Sequence, residues 1–169
     1  NVTEERKGFS KLLQAIEYLK KDFPGLSGKI FLAVFGKSRE QYTLPFPVHS
    51  FQYISDTDKL VALYNAANVF LLPSLEDNLP NTVMEALSCG TPVVAFRSGG
   101  VTEMVDHLDT GYLVQNGDVR EFAQGIAAVL NEKNYEVMRE RCRKKVIENY
   151  SERIVVKKYD DLYRQLVEK

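Results

Sequence analysis

The sequence predicts an α/β domain with an open parallel sheet and helices on both faces, and three observations lead to this fold class. Short apolar runs bounded by glycine or proline, such as residues 29–36 and 68–73, have the length and composition of buried strands. Segments with apolar residues at helical spacing, such as residues 8–21, separate these runs. The alternation favours parallel pairing, because each helix returns the chain to the same edge of the sheet.

Local signals place the individual elements. Pro24 and Gly25 end the first helix, Ser55 or Asp56 is positioned to cap the second, and Asp118 begins the fifth. The run 29–36 shows no polar alternation, so we expect both faces of that strand to be covered. In chain order, the predicted helices cover residues 8–21, 58–67, 81–89, 101–105, 118–131, 134–149 and 151–167, with Ser151 as a candidate cap. The predicted strands cover residues 29–36, 48–54, 68–73, 92–96 and 111–114.

The pattern opens on a loop and a helix, although domains of this class normally begin with a strand that leads into the first loop. We therefore expect the first strand to be missing from this sequence. Residues 1–169 are expected to form a single domain of a longer protein.

Composition excludes several function classes. The chain of 169 residues has 22 Lys and Arg against 23 Asp and Glu, with both signs interspersed, so no nucleic-acid or anionic-membrane partner is indicated. No apolar run is long enough for a transmembrane segment. Cys89 and Cys142 lie on different predicted helices and indicate neither a zinc site nor a disulfide framework, which favours the cytoplasm.

Four loops are expected at the carboxyl edge of the sheet, where open α/β domains bind ligands. They cover residues 1–8, 35–41, 73–81 and 96–103. The pair Gly99-Gly100 in the last loop predicts a turn with positive φ.

The third of these loops runs directly into a helix. The N–H groups of Leu79, Asn81 and Thr82 are therefore expected to be unpaired beside the positive end of the helix dipole, where an anion is stabilised. Pro80 has no N–H group, but a helix start does not need one there.

The charged residues around this helix suggest a ligand with two chemistries. Glu85 would accept hydrogen bonds from neighbouring hydroxyls, such as those of a ribose, and Asp77 from those of a second sugar. Lys7 would place a point charge on phosphate. This combination fits a nucleotide-sugar. Structural readings of single residues stay open: Glu85 could complement the helix dipole, and Arg6 with Lys7 could be a solvated pair.

The segment 63–114 closely resembles the C-terminal domain of retaining glycosyltransferases of family 4, which have the GT-B fold. The resemblance rests on an acid followed after seven residues by a glutamate, then on "EAL-x-CGTPVVA" and a Gly-Gly turn. It extends over nearly the whole chain, from "RKGF" to the last helix. The combination is specific, whereas each motif alone is weak.

The resemblance implies a two-domain enzyme in which this half binds the nucleotide-sugar donor, most often a UDP-sugar. A missing N-terminal half would bind the acceptor, a glycan or a lipid-linked saccharide, at the cytoplasmic face of the membrane. Transfer would retain the anomeric configuration and need no metal or other cofactor.

The family pattern also assigns residues. Glu85 matches the glutamate that holds the donor ribose, while Asp77 and Lys7, the catalytic candidates, match the acid near the transferred sugar and the lysine on the diphosphate. The further donor-binding candidates are Arg6, Ile54, Asp56, Asn78, Leu79, Asn81 and Thr82. The sequence departs from the pattern at Asp77, where a glutamate is usual, and at Asn1, where an arginine is common.

Two other functions fit the sequence. A nucleotide-sugar 2-epimerase would use the same scaffold with an acid–base pair at one sugar carbon. A non-catalytic α/β interaction module would use the acids only as caps.

Overall fold

A computed structural model of the chain describes residues 5–36 and 44–167 and confirms the α/β class. Seven α-helices are found in this described part: α1 Phe9–Asp22, α2 Thr57–Ala66, α3 Asn81–Ser88, α4 Val101–Met104, α5 Val119–Leu130, α6 Tyr135–Tyr150 and α7 Glu152–Val167. The strands there are β1 Leu32–Phe35, β2 Val48–Phe51, β3 Phe70–Leu72, β4 Val93–Phe96 and β5 Gly111–Val114.

All strand pairings among the described residues are parallel, as the alternating pattern predicts. β1 pairs with β2, and β3, β4 and β5 form a second sheet in that order. Several strands are shorter than predicted. For β3 the reason is Pro73, which follows Leu72 directly and has no N–H group to donate to a ladder.

The core centres on β4, whose four residues are all buried. α5 packs on β4 and β5, with α1 alongside it, and the ring of Phe96 lies 4.9 Å from that of Phe122 on α5. α3 packs on β3 and β4, with α6 behind it. Helices therefore cover both faces of the three-stranded sheet.

The expectation that residues 29–36 are covered on both faces is wrong. Ala33 is exposed, the other three residues of β1 are only half-buried, and Phe31 is 63% exposed. An apolar run becomes buried only where neighbours exist, and in the described part of the chain β1 pairs with β2 alone. The ring centroids of Phe35 on β1 and Phe70 on β3 lie 6.5 Å apart, so the two sheets meet through side chains. A strand preceding residue 1 stays a prediction.

Helix starts follow the local chemistry. The carboxylate of Asp56 accepts hydrogen bonds from the N–H groups of Asp58 and Lys59, and Asp118 caps α5 in the same way. Ser151 separates α6 from α7, and its backbone carbonyl accepts hydrogen bonds from N–H groups in the first turn of α7.

α7 buries none of its residues. In residues 5–36 and 44–167, no helix combines the length and apolarity that a membrane span requires.

Thr91 ties the start of β4 to the end of α2. The residue is 1% exposed, and its hydroxyl donates to the Tyr64 carbonyl at 2.6 Å. The same carbonyl also accepts a hydrogen bond from the N–H of Ala67 at 3.1 Å. That N–H divides its bond between the Tyr64 carbonyl and the Leu63 carbonyl. Without the hydroxyl, this buried carbonyl would keep only the shared bond.

Thr91→Val should therefore lower the free energy of unfolding by about 1 kcal/mol, because the change is nearly isosteric and removes one buried hydrogen bond. Urea denaturation measures the effect. The matched control is Thr102→Val, whose hydroxyl donates to the Gly99 carbonyl at an exposed position where water can replace it. Equal losses in the two variants would contradict the role given to Thr91.

Candidate functional site

The segment that precedes α1 lies directly against the loop between β3 and α3, residues 73–80. The carbonyl of Arg6 accepts a hydrogen bond from the N–H of Leu75 at 2.8 Å. Gly8 has φ +63°, and a Cβ there would lie 1.8 Å from the Pro73 carbonyl oxygen. Only glycine permits both this conformation and this approach.

The Gly99-Gly100 turn also packs against the β3–α3 loop. Gly99 has φ +44°, which confirms the positive φ predicted for this turn, and a Cβ there would lie 2.0 Å from the Asp77 carbonyl oxygen. The N–H of Gly100 donates to the Asn78 carbonyl at 2.7 Å. The glycines therefore serve a close backbone contact as well as a turn.

Two side chains complete the support of this loop. The hydroxyl of Ser98 donates to the Ser74 carbonyl at 3.3 Å, and the amide of Asn116 donates to the Leu75 carbonyl at 3.0 Å. The β3–α3 loop is thus held by segments that follow β4 and β5 and by the segment before α1.

Lys7 and Asp77 meet at this loop. The Lys7 ammonium lies 2.8 Å from the Asp77 carboxylate, with side-chain exposures of 33% and 16%. Both catalytic candidates therefore share one ion pair, although 70 residues separate them in sequence. A lysine ammonium has three N–H donors, and within the described part of the chain the Lys7 ammonium donates only to Asp77, which leaves two donors for a ligand.

The start of α3 carries the predicted unpaired amides. Pro80 is the N-cap residue and Asn81 is the first helical residue. Within the described residues, the N–H groups of Leu79, Asn81 and Thr82 have no hydrogen-bond acceptor. Leu79 and Asn81 are exposed, so a ligand can reach them.

Glu85 lies one turn further along α3, on the side that meets α2. Its carboxylate accepts a hydrogen bond from the Tyr64 hydroxyl at 2.9 Å. Burial raises the pKa of Tyr64 far above its ordinary value, and the bond to Glu85 raises it further, so the phenol stays a donor. The two acids of the motif therefore have different partners: a cation for Asp77 and a neutral hydroxyl for Glu85.

An open groove of about 630 Å³ runs beside Asp77. Its lining carries charges of both signs, from Arg6 and Arg97 and from Glu76 and Asp77. The other lining residues are Leu75, Asn78, Ser98, Gly99 and Asn116.

Other candidates lie outside this loop cluster. Ile54 is half-buried in the segment between β2 and α2, and Asp56 uses its carboxylate to cap α2. Asn1 and residues 37–43, which include part of the loop expected at 35–41, lie outside the described residues. In the part of the chain that is described, no three His, Cys, Asp or Glu side chains are grouped closely enough to share a metal ion.

Sequence reasoning missed Tyr64, Arg97 and Asn116. Asn116 follows β5 at the same carboxyl edge as the four loops considered, so that rule extended to the fifth strand would have found it. Arg97 lies inside one of those loops but matches no motif. Tyr64 occupies a regular apolar position of α2, and nothing in its spacing signals a polar role.

A family model described as "Glycosyl transferases group 1" matches residues 1–149, and the chain belongs to this family. An N-acetyl-alpha-D-glucosaminyl L-malate synthase of Bacillus anthracis is 31% identical over 66% of this chain and 29% of its own length. A UDP-Gal:alpha-D-GlcNAc-diphosphoundecaprenol alpha-1,3-galactosyltransferase of Escherichia coli is 30% identical over 62% of this chain and 27% of its own.

Solved structures agree with the fold. A sucrose-phosphate synthase from Thermosynechococcus elongatus superposes with a TM-score of 0.76 and 26% identity, over 97% of this chain and 43% of that protein. The chain therefore has the fold of one half of a GT-B glycosyltransferase, and it spans less than half the length of the proteins that it resembles.

The contact between Gly99 and the Asp77 carbonyl can be tested by adding one methyl group. Gly99→Ala should cost more than about 2 kcal/mol of stability, because a methyl group at 2.0 Å from a backbone oxygen forces the β3–α3 loop to move. Gly117→Ala is the matched control, since Gly117 has φ +82° and open space where a Cβ would lie. It should cost only about 1 kcal/mol of left-handed backbone strain.

Chemical denaturation of both variants measures the difference. If Gly99→Ala is no more destabilising than Gly117→Ala, the close contact does not hold the loop.

Proposed function

We propose that this chain is the donor-binding domain of a retaining glycosyltransferase that transfers a sugar from a nucleoside diphosphate sugar, and that the donor is a UDP-sugar. The observation that carries the proposal is the pairing of Lys7 with Asp77 beside the unpaired amides at the start of α3. A cation and free N–H groups suit a diphosphate, and carboxylates beside them suit sugar hydroxyls.

The chemistry of transfer requires stabilisation of a nucleoside diphosphate as it leaves. Negative charge develops on the β-phosphate when the glycosidic bond breaks. Fixed positive groups beside it stabilise this charge and so lower the activation barrier of transfer. The two free N–H donors of Lys7 and the amides of Asn81 and Thr82 would supply them, without a metal or other cofactor. Asp77 would orient the transferred sugar while it holds the Lys7 ammonium in place.

The donor ribose would lie near Glu85, whose carboxylate has lone pairs beyond the one used by Tyr64. Arg6, Asn78 and Leu79 would contact the donor from the cluster of segments around Asp77. Ile54 and Asp56 would lie near the base, with Asp56 contributing through its position rather than through its capping carboxylate.

The remaining partners belong to a longer protein. The matched segments make up only 29% and 27% of the two named relatives, so we propose that an N-terminal domain of the same protein binds the acceptor. The acceptor would be a glycan or a lipid-linked saccharide, the second in keeping with the diphosphoundecaprenol substrate that the Escherichia coli relative is named for. We place the reaction in the cytoplasm, at the inner face of the membrane.

Transfer is favoured over the two other functions. The Bacillus anthracis and Escherichia coli relatives are named for synthase and transferase reactions, not for epimerisation. An interaction module would have no use for unpaired amides next to a free lysine N–H. The full-length protein would isomerise a free UDP-sugar without acceptor only if it were an epimerase.

Ligand binding tests the proposal. We expect the 169-residue chain to bind UDP with a dissociation constant of about 1 mM, as suits half of a cleft, and to bind uridine more weakly because uridine has no phosphates. Lys7→Met should remove most of this difference between UDP and uridine. Titrations followed by amide NMR signals measure all of these affinities, with GDP as the alternative nucleotide.

The matched control is Lys145→Met. Lys145 pairs with Asp106 at 2.8 Å and is 19% exposed, so its loss breaks an ion pair of the same kind away from the β3–α3 loop. It should leave UDP affinity unchanged. Two results would contradict the proposal. One is a folded chain that binds neither UDP nor GDP at several times the expected dissociation constant. The other is an equal loss of UDP affinity in Lys7→Met and Lys145→Met.

A further inference from the structure

Tyr64 is a core residue with its one polar side-chain atom directed at a motif acid. The residue is 2% exposed, and its ring meets Phe35 and Phe70 edge-on at 5.8 and 5.7 Å. Its backbone carbonyl is fixed by Thr91. The phenol therefore has little freedom, and its hydroxyl lies 2.9 Å from one oxygen of Glu85.

The acceptor of this bond differs from those of two other tyrosines in the chain. Tyr135 and Tyr150 donate to backbone carbonyls, of Asn68 and Glu103, which are fixed by the chain itself. Tyr64 instead donates to the carboxylate of an exposed residue, which would otherwise rotate in solvent. A buried, rigid donor thus determines the position of a flexible, charged side chain.

We propose that Tyr64 is a positioning residue for the donor, and that it holds the Glu85 carboxylate so that its other oxygen is presented to the ribose diol. This inference rests on the proposed function. With one oxygen of the carboxylate engaged, the second keeps its lone pairs for two neighbouring hydroxyls. The residue acts through Glu85 and does not itself contact the ligand.

The physical benefit is preorganisation. A free glutamate loses much of its rotamer entropy when it binds a ligand, and the fold has already imposed that loss through the bond from Tyr64. A hydroxyl bond to a carboxylate is also stronger than one between neutral groups. Because Tyr64 is neutral, Glu85 keeps its full negative charge for the ligand, unlike Asp77, which is paired with a cation.

A cycle of variants and ligands separates this role from a purely structural one. Tyr64→Phe keeps the aromatic packing and removes only the hydroxyl. It should weaken binding of UDP to the 169-residue chain about fivefold, and binding of 2′,3′-dideoxy-UDP, which lacks the diol, less than about twofold. The readout is the dissociation constant from NMR titration, with urea denaturation in parallel.

Tyr135→Phe is the matched control, since it removes a tyrosine hydroxyl bond of 2.8 Å elsewhere and should change neither affinity. A second measurement separates the two effects if Tyr64→Phe also lowers the free energy of unfolding. In a Glu85→Ala background, Tyr64→Phe should have no further effect on UDP affinity, because the group that it positions is gone.

Equal weakening of UDP and the dideoxy analogue, or an undiminished effect in the Glu85→Ala background, would overturn the role of Tyr64 while leaving the proposed function intact. Failure of the unaltered, folded chain to bind either UDP or GDP would overturn both.

Discussion

The β3–α3 loop, residues 73–80, lies so close to two neighbouring turns that neither Gly8 nor Gly99 has room for a Cβ atom. Backbone contacts of this kind fix the loop more firmly than side-chain contacts would, because no rotamer can relieve them. The position of Lys7 follows from one of these contacts. It precedes Gly8 by one residue, so the approach of Gly8 to Pro73 brings the Lys7 ammonium within reach of Asp77.

The two acids of α3 and its loop are stabilised in different ways. Asp77 is partly buried and neutralised by Lys7, whereas Glu85 is exposed and accepts from a neutral hydroxyl. This difference matters for a ligand with both phosphates and sugars. The pair of Lys7 and Asp77 offers spare ammonium N–H groups to an anion, and Glu85 offers an undiminished negative charge to hydroxyl donors.

The helix α3 connects these two regions within a short stretch of chain. Its first-turn amides lie between the ion pair and Glu85 in sequence, and they are the groups that a helix cannot satisfy internally. A ligand of alternating charge and polarity is therefore matched by one short segment, while the net charge of the whole chain is only −1. Local arrangement, not overall charge, gives this edge of the sheet its chemistry.

Several features were determined by the sequence alone. Asp56 and Asp118 cap helices because a carboxylate before a helical run meets local N–H groups, whatever the rest of the fold does. Apolar runs at strand length and their alternation with helices fixed the parallel α/β class. The amides at the start of α3 that lack acceptors among the described residues followed from the position of that helix start. The acid-to-glutamate spacing, together with "EAL-x-CGTPVVA" and the Gly-Gly turn, identified the family. Other features were decided only by the tertiary structure. Residues 29–36 have the composition of a buried strand, yet β1 remains partly exposed because burial depends on neighbours that the sequence does not specify. The contacts of Lys7 with Asp77 and of Tyr64 with Glu85 join residues 70 and 21 positions apart. No periodicity encodes such distances, since they arise when the packing of strands and helices brings separate loops and helix faces together.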